Sequence, residues 1–77
     1  PLTYQNVRER VKEKRPDIKF GKVFNAVMKR VKQDKKLCQT NYLDPKRKTG
    51  GKKDFYAEAA VDMVIKYYDE EVPNNEL

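Results

Sequence analysis

The chain has 77 residues and a formal net charge of +6, a length that allows one small domain with a stability margin of about 3 to 5 kcal/mol. It contains no His and one Cys, which excludes an internal disulfide and the usual zinc-ligand sets. Charge is uneven along the chain, because residues 1–53 carry 17 Lys/Arg and 5 Asp/Glu, whereas residues 54–77 carry 1 and 7.

The first helix is predicted from a narrow apolar stripe near the start of the chain. Its positions follow helical spacing: Tyr4, Val7 and Val11. Thr3 is the expected N-cap, and Leu2 is expected to pack on Val7 as a hydrophobic staple. The segment is expected to end before Pro16, because the residue preceding a proline is disfavoured in a helix.

The second helix is predicted over residues 20–36 and has two different faces. The apolar face consists of Phe20, Val23, Phe24, Val27, Met28 and Val31. The opposite face, which we call the cationic face, consists of Lys22, Asn25, Lys29, Lys32, Gln33 and Lys36. Asp17 is a candidate cap, although Gly21 weakens that start and moves it towards Phe20.

Helical spacing disappears between residues 37 and 53. Residues 37–43 are compatible with a short strand, and residues 44–53 are predicted to form a loop. The nine residues from Pro45 to Lys53 include five basic ones: Lys46, Arg47, Lys48, Lys52 and Lys53. A long connection in a small domain is usually functional or disordered, and this density of charge favours a functional loop.

The third helix is predicted over residues 54–71, with Asp54 as its N-cap and Pro73 as its stop. Its apolar stripe is expected at Tyr56, Ala59, Ala60, Met63, Val64, Tyr67 and Tyr68. We interpret these aromatic residues as core residues, because the polar positions of the helix are mostly acidic and would repel nucleic acid.

These elements predict a mainly α fold, a small three-helix domain of residues 1–77. A long basic loop or short wing-like β-hairpin is expected between helices 2 and 3, and residues 73–77 are expected to fray.

The charge partition favours a small DNA-binding protein or domain, such as a regulator of transcription, that contacts duplex DNA through helix 2 and the loop at 45–53. The candidate nucleic-acid-binding residues are Lys22, Asn25, Lys29, Arg30, Lys32, Gln33, Lys36, Tyr42, Lys46, Arg47, Lys48, Lys52 and Lys53. Lysines and arginines suit phosphates, whereas Asn25 and Gln33 could read base edges. The usual helix-turn-helix assignment does not fit, because it would make the acidic last helix the recognition helix.

Two alternatives use the same charges. The chain could be a protein-interaction module or inhibitor that docks its basic or acidic surface on an oppositely charged protein, with the acidic helix at 54–71 as a possible partner surface. It could also be an RNA-binding module, although duplex DNA is favoured.

An enzyme is not expected. The chain lacks a His for proton transfer, and Gly50-Gly51-Lys52-Lys53 lacks the upstream Gly and the following Ser/Thr of a P-loop. We predict no catalytic residue, no cofactor, no metal and no membrane partner.

The lone Cys and the absence of a long apolar run predict a soluble protein in a reducing, intracellular compartment. The expected compartment is the nucleus in a eukaryote, where residues 45–48 would resemble a short localisation signal, and otherwise the cytoplasm or nucleoid.

Overall fold

The computed structural model describes residues 1–43 and 52–75. In chain order its elements are α1 (Tyr4–Lys14), α2 (Lys22–Lys32), β1 (Cys38–Leu43), β2 (Lys52–Tyr56) and α3 (Glu58–Asn75). The predicted fold class is confirmed: the chain is mainly helical, and a two-strand antiparallel hairpin that resembles a wing connects α2 with α3.

Helix α1 begins as its sequence predicts. The Thr3 hydroxyl accepts a hydrogen bond from the Asn6 backbone N–H at 3.1 Å, and the Asn6 side chain accepts one from the Thr3 N–H at 3.1 Å. This reciprocal capping box satisfies two N–H groups that have no partner inside the helix. Val7 and Val11 are fully buried on the inner side of α1.

Helix α2 is shorter than predicted at both ends. Gly21 is its N-cap and offers no side-chain hydrogen bond, so the expectation that Asp17 caps it is wrong. At the other end the Asp34 carboxylate accepts the Lys36 N–H, and the Asp34 carbonyl accepts the N–H groups of Leu37 and Cys38, all at 2.9 Å. This turn ends the helix because it redirects the chain into β1, and Lys36 therefore lies in the turn rather than on α2.

The predicted start of the third helix at Asp54 is also wrong, because residues 54–56 belong to β2. Tyr56 pairs with Cys38 of β1 on one side and with Leu2 through an isolated bridge on the other. Its N–H and carbonyl both bond to Leu2, at 2.6 and 2.8 Å. Tyr56 occupies a helix-compatible position in the sequence, but this pairing on both sides holds it in a strand.

The buried residues of α3 differ slightly from the predicted apolar stripe. Its buried positions are Ala60, Val61, Val64 and Tyr68, whereas Ala59 is exposed. The helix also passes Pro73 and reaches Asn75, so the predicted stop is wrong. Proline has no N–H and cannot bond to the carbonyl four residues earlier. Because Pro73 lies in the last turn of α3, the rest of the helix keeps its hydrogen bonds.

The core lies between α3 and the other elements. Helix α2 packs chiefly on α3, and α1 packs on α3 and β2. The largest fully buried side chains are those of Phe24, Ile18, Val7, Val11, Val27, Val31 and Val64. Within the described part of the chain, no helix has the length and apolar character that a membrane span requires.

Candidate nucleic-acid interface

The cationic face of α2 is exposed along its whole length. Val27 and Val31 are fully buried, and the helical repeat turns Lys29, which lies between them in the sequence, outward. The structure brings five of the six predicted residues of this face together on or next to α2, and the sixth, Lys36, follows in the turn. All six are exposed: Lys22, Asn25, Lys29, Lys32, Gln33 and Lys36.

The lysines of this face differ in their partners. The Lys32 ammonium lies 3.0 Å from the Asp54 carboxylate on β2, and the hydrogen bond with Asp54 raises the pKa of Lys32. Among residues 1–43 and 52–75, no carboxylate pairs with Lys22, Lys29 or Lys36. These three ammonium groups are therefore the ones best able to bind external anions.

Two grooves border this surface, and Lys29 and Lys32 line both of them. The first groove, of about 370 Å³, also involves Tyr4, Asn25, Met28, Asp54 and Tyr56. The second groove, of about 490 Å³, lies towards β1 and involves Gln33, Lys35, Cys38 and Thr40. The cationic face of α2 thus continues into concave surfaces on the hairpin side.

Asn25 of α2 is held in place by a hydrogen bond from Tyr4 of α1. The Tyr4 hydroxyl donates a hydrogen bond to Asn25 Oδ1 at 3.1 Å, and the Tyr4 ring meets the Phe24 ring edge-on at 6.5 Å. This contact fixes the orientation of the amide and leaves its two N–H groups for acceptors outside the protein. Sequence reasoning assigned Tyr4 to the core and missed this role.

Arg30 faces α3 instead of the cationic face. Its guanidinium carbon lies 3.7 Å from the centre of the Tyr67 ring, and its Nη1 lies 3.6 Å from Glu71 Oε1. Stacking and charge pairing both hold this side chain between the two helices. The structure therefore does not bring Arg30 together with the predicted lysines.

The hairpin contributes three further predicted residues, Tyr42, Lys52 and Lys53. Lys53 is exposed on β2, with Tyr42 of β1 opposite, and Lys52 pairs with Leu43. Between the pairs Gln39–Phe55 and Tyr42–Lys53 the register shifts, so that two residues of β1 lie opposite Asp54 alone. Such a bulge increases the local twist of a hairpin. The predicted residues Lys46, Arg47 and Lys48 lie outside the described residues.

The acidic side of α3 is paired with basic residues of the first two helices and with Arg15, the C-cap of α1. The ion pairs are Glu58–Arg10 at 2.9 Å, Asp62–Lys14 at 3.0 Å, Asp69–Arg15 at 2.7 Å and Glu71–Arg30 at 3.6 Å. Sequence reasoning missed these pairs, although a signal exists: Arg10 and Lys14 share the four-residue spacing of Glu58 and Asp62. Exposed pairs contribute little to stability, but they neutralise charge on this side of the molecule.

Two buried groups lie next to the cationic surface. Cys38 and Tyr56 face each other across the hairpin and are 4% and 2% exposed. Burial, followed by the charge of Asp54, raises the pKa of the Cys38 thiol, and burial likewise raises the pKa of the Tyr56 hydroxyl. Both groups therefore stay protonated at neutral pH, which makes Cys38 a poor nucleophile.

Comparison of the chain with protein-family models, with curated proteins and with solved structures finds no match.

Proposed function

We propose that this chain is a small nucleic-acid-binding domain that holds duplex DNA against the cationic face of α2 and the hairpin. The observation that supports this most is the separation of charge. Lys22, Lys29 and Lys36 are exposed without a carboxylate partner among the described residues, whereas four acids of α3 pair with basic residues of α1, its C-cap and α2. Unpaired positive charge therefore remains on the side of α2 that meets solvent.

The dimensions of α2 suit a duplex. Its 11 residues correspond to a rod of about 16 Å, and with side chains a helix has about the width of the major groove of B-DNA. In this proposal the lysines bind phosphates and release counterions, while Asn25 and Gln33 face the base edges.

The hairpin strands and the basic residues 46–48 are proposed to contact the DNA backbone. Lys52 and Lys53 begin β2, and Lys46, Arg47 and Lys48 precede them in the chain. Flexible basic side chains bind phosphates irrespective of sequence, so these residues would add affinity without base preference. Regulation of transcription remains a proposed setting for this activity.

Two of the three alternatives are weaker on physical grounds, and the third, an acidic protein, is separated from DNA by the titration below. Duplex RNA has a deep, narrow major groove that does not admit a helix, which leaves α2 without a site there. An acidic protein would be attracted by the same lysines. A basic partner that docks on α3 would compete with the internal ion pairs of Glu58, Asp62 and Asp69.

The test is a binding titration of the purified chain with duplex DNA, duplex RNA, single-stranded DNA and polyglutamate at 50 and 200 mM salt. We expect duplex DNA to bind most tightly, with about four to seven phosphate contacts and a slope of log K against log salt of about −4 to −6. Millimolar or weaker binding of duplex DNA at low salt, a negligible salt slope or a preference for polyglutamate would refute the proposal.

A further inference from the structure

Arg8 and Lys12 form a second cationic patch on α1, at a distance in sequence from the predicted site. The Arg8 guanidinium carbon lies 4.6 Å, and the Lys12 ammonium 5.5 Å, from the centre of the Phe20 ring. Phe20 is half-buried against the core. Its ring therefore acts as a fixed platform that holds both cations in place.

Neither cation of this patch has a carboxylate partner among the residues that the structure describes. Lys12 donates to the Pro16 carbonyl at 3.0 Å, a neutral acceptor. Asp17, which follows Pro16, already accepts hydrogen bonds from Arg15 on both carboxylate oxygens, each at 3.0 Å. The positive charge of Arg8 and Lys12 is thus available to an external anion.

The opposite side of the same helix provides a contrast. Arg10 and Lys14 carry the same charge, but they pair with Glu58 and Asp62 of α3 at 2.9 and 3.0 Å. Helix α1 therefore has one side whose cations are neutralised internally and another whose cations are not.

The patch is linked to the N-terminal half of α2 by ring contacts that pass the fully buried Phe24. The Phe20 ring contacts the Phe24 ring at 4.7 Å between centres, Phe24 meets Tyr4, and Tyr4 donates to Asn25. Aromatic contacts thus connect Arg8 and Lys12 with the N-terminal half of α2. A helix that fills the major groove brings the elements beside it against the phosphates at the groove edge, because helix and groove have similar widths.

From this arrangement we propose that Arg8 and Lys12 bind the phosphate backbone of duplex DNA beside the groove that receives α2, so that α1 provides a second row of contacts. The proposal rests on the proposed function and extends the interface from α2 and the hairpin to α1. In this arrangement α2 contacts the major groove, and Arg8 and Lys12 of α1 contact the phosphates at its edge.

The experiment compares two double variants with equal changes of net charge on one helix. Arg8→Gln with Lys12→Gln removes the proposed contacts, and Arg10→Gln with Lys14→Gln removes the paired cations. Duplex DNA affinity is measured by fluorescence anisotropy over a series of salt concentrations, and circular dichroism verifies the fold of each variant. The first double variant should lose about 2 from the magnitude of the salt slope, and the second should keep the wild-type slope.

Equal slopes for the two double variants, or a wild-type slope for the first, would overturn the inference while leaving the binding of DNA by α2 intact. A wild-type chain that does not bind duplex DNA would instead refute the proposed function. If the double variant unfolds, the single variant Arg8→Gln, which keeps Lys12 over the Phe20 ring, tests the same inference. The magnitude of its salt slope should fall by about 1.

Discussion

Asp54 places a negative charge inside the proposed interface. It lies on β2 within the groove that Lys29 and Lys32 line, and its carboxylate pairs with Lys32 at 3.0 Å. A phosphate that approaches Lys32 has to compete with this carboxylate. Asp54 therefore weakens binding at this site and restricts the strongest anion contacts to the unpaired lysines.

Replacement of Asp54 by Asn should increase affinity for duplex DNA. The change removes a negative charge from the groove and releases Lys32 to bind phosphate, so the salt slope should become steeper by about 1. Titration by fluorescence anisotropy measures both quantities. Glu70→Gln, an equal change of charge at an exposed position of α3, is the control and should leave the slope unchanged. An unaltered affinity in Asp54→Asn would place the interface away from this groove.

Tyr56 and Cys38 should make the fold sensitive to alkali. Their ordinary pKa values are 10.0 and 9.0, and burial raises both in the folded chain. As pH rises past these ordinary values, the unfolded chain releases protons that the folded chain retains, so the free energy of unfolding falls. Lys32, whose pKa is raised from 10.5 by Asp54, adds a loss of the same sign at higher pH.

Urea unfolding at pH 7.5, 9 and 10.5 measures this decline. Tyr56→Phe removes one of the ionising groups, so its free energy of unfolding should fall less above pH 10 than that of the wild type. Parallel declines in the two proteins would mean that the Tyr56 hydroxyl ionises as readily in the folded chain as in the unfolded one.

At the scale of elements, α2 has to serve the core and the interface at once. Val27 and Val31 are fully buried on one side, and Lys29 is exposed on the other. The facing helix contributes Val64, which is also fully buried. Any change that unfolds this pair of helices removes the cationic face as well.

Val27→Asp and Val64→Asp should each unfold the domain. A carboxylate at a fully buried site without a partner costs several kcal/mol, which equals or exceeds a stability margin of about 3 to 5 kcal/mol. Thermal unfolding followed by circular dichroism measures the effect. A cooperative transition near the wild-type temperature in either variant would show that the inner faces of α2 and α3 are assigned incorrectly.

The helices were predictable from sequence where apolar spacing and capping agree, as at Thr3, Val7 and Val11. The same spacing misled at Tyr56, because its pairing with both Leu2 and Cys38 joins segments far apart in the chain. The end of α2 was likewise missed, since the turn at Asp34 depends on hydrogen bonds that apolar spacing does not report. Local signals thus identified the elements, and non-local pairing decided their limits.

The candidate site shows the same division between local and non-local information. Helical periodicity was enough to place Lys22, Lys29 and Asn25 on one exposed face. The pairing of Lys32 with Asp54 and of Arg30 with Glu71 required knowledge of which elements are neighbours. The sequence gives the number of charged residues, but only the fold shows which of them form ion pairs.

At the scale of the whole molecule, the net charge of +6 is distributed unevenly over the surface. The acids of α3 neutralise cations on one side of α1 and at Arg30 of α2, and the exposed face of α2 retains unpaired lysines. A duplex would therefore be attracted to one side of the domain. This orientation of charge, more than its total, is the basis of the proposed function.

The measurement that tests this claim most directly compares Lys29→Asp with Lys66→Asp in duplex DNA titrations at 50 mM salt. Both lysines are exposed on a helix, Lys29 in the last turn of α2 and Lys66 within α3, and both substitutions change the net charge equally. Lys29→Asp should remain folded and weaken binding by about tenfold or more, because it replaces a phosphate contact with a repulsive charge. Lys66→Asp, on α3, should weaken binding by less than about threefold, through the change in net charge alone. Equal losses of affinity in the two variants would contradict the account, since binding would then depend on total charge and not on the face of α2.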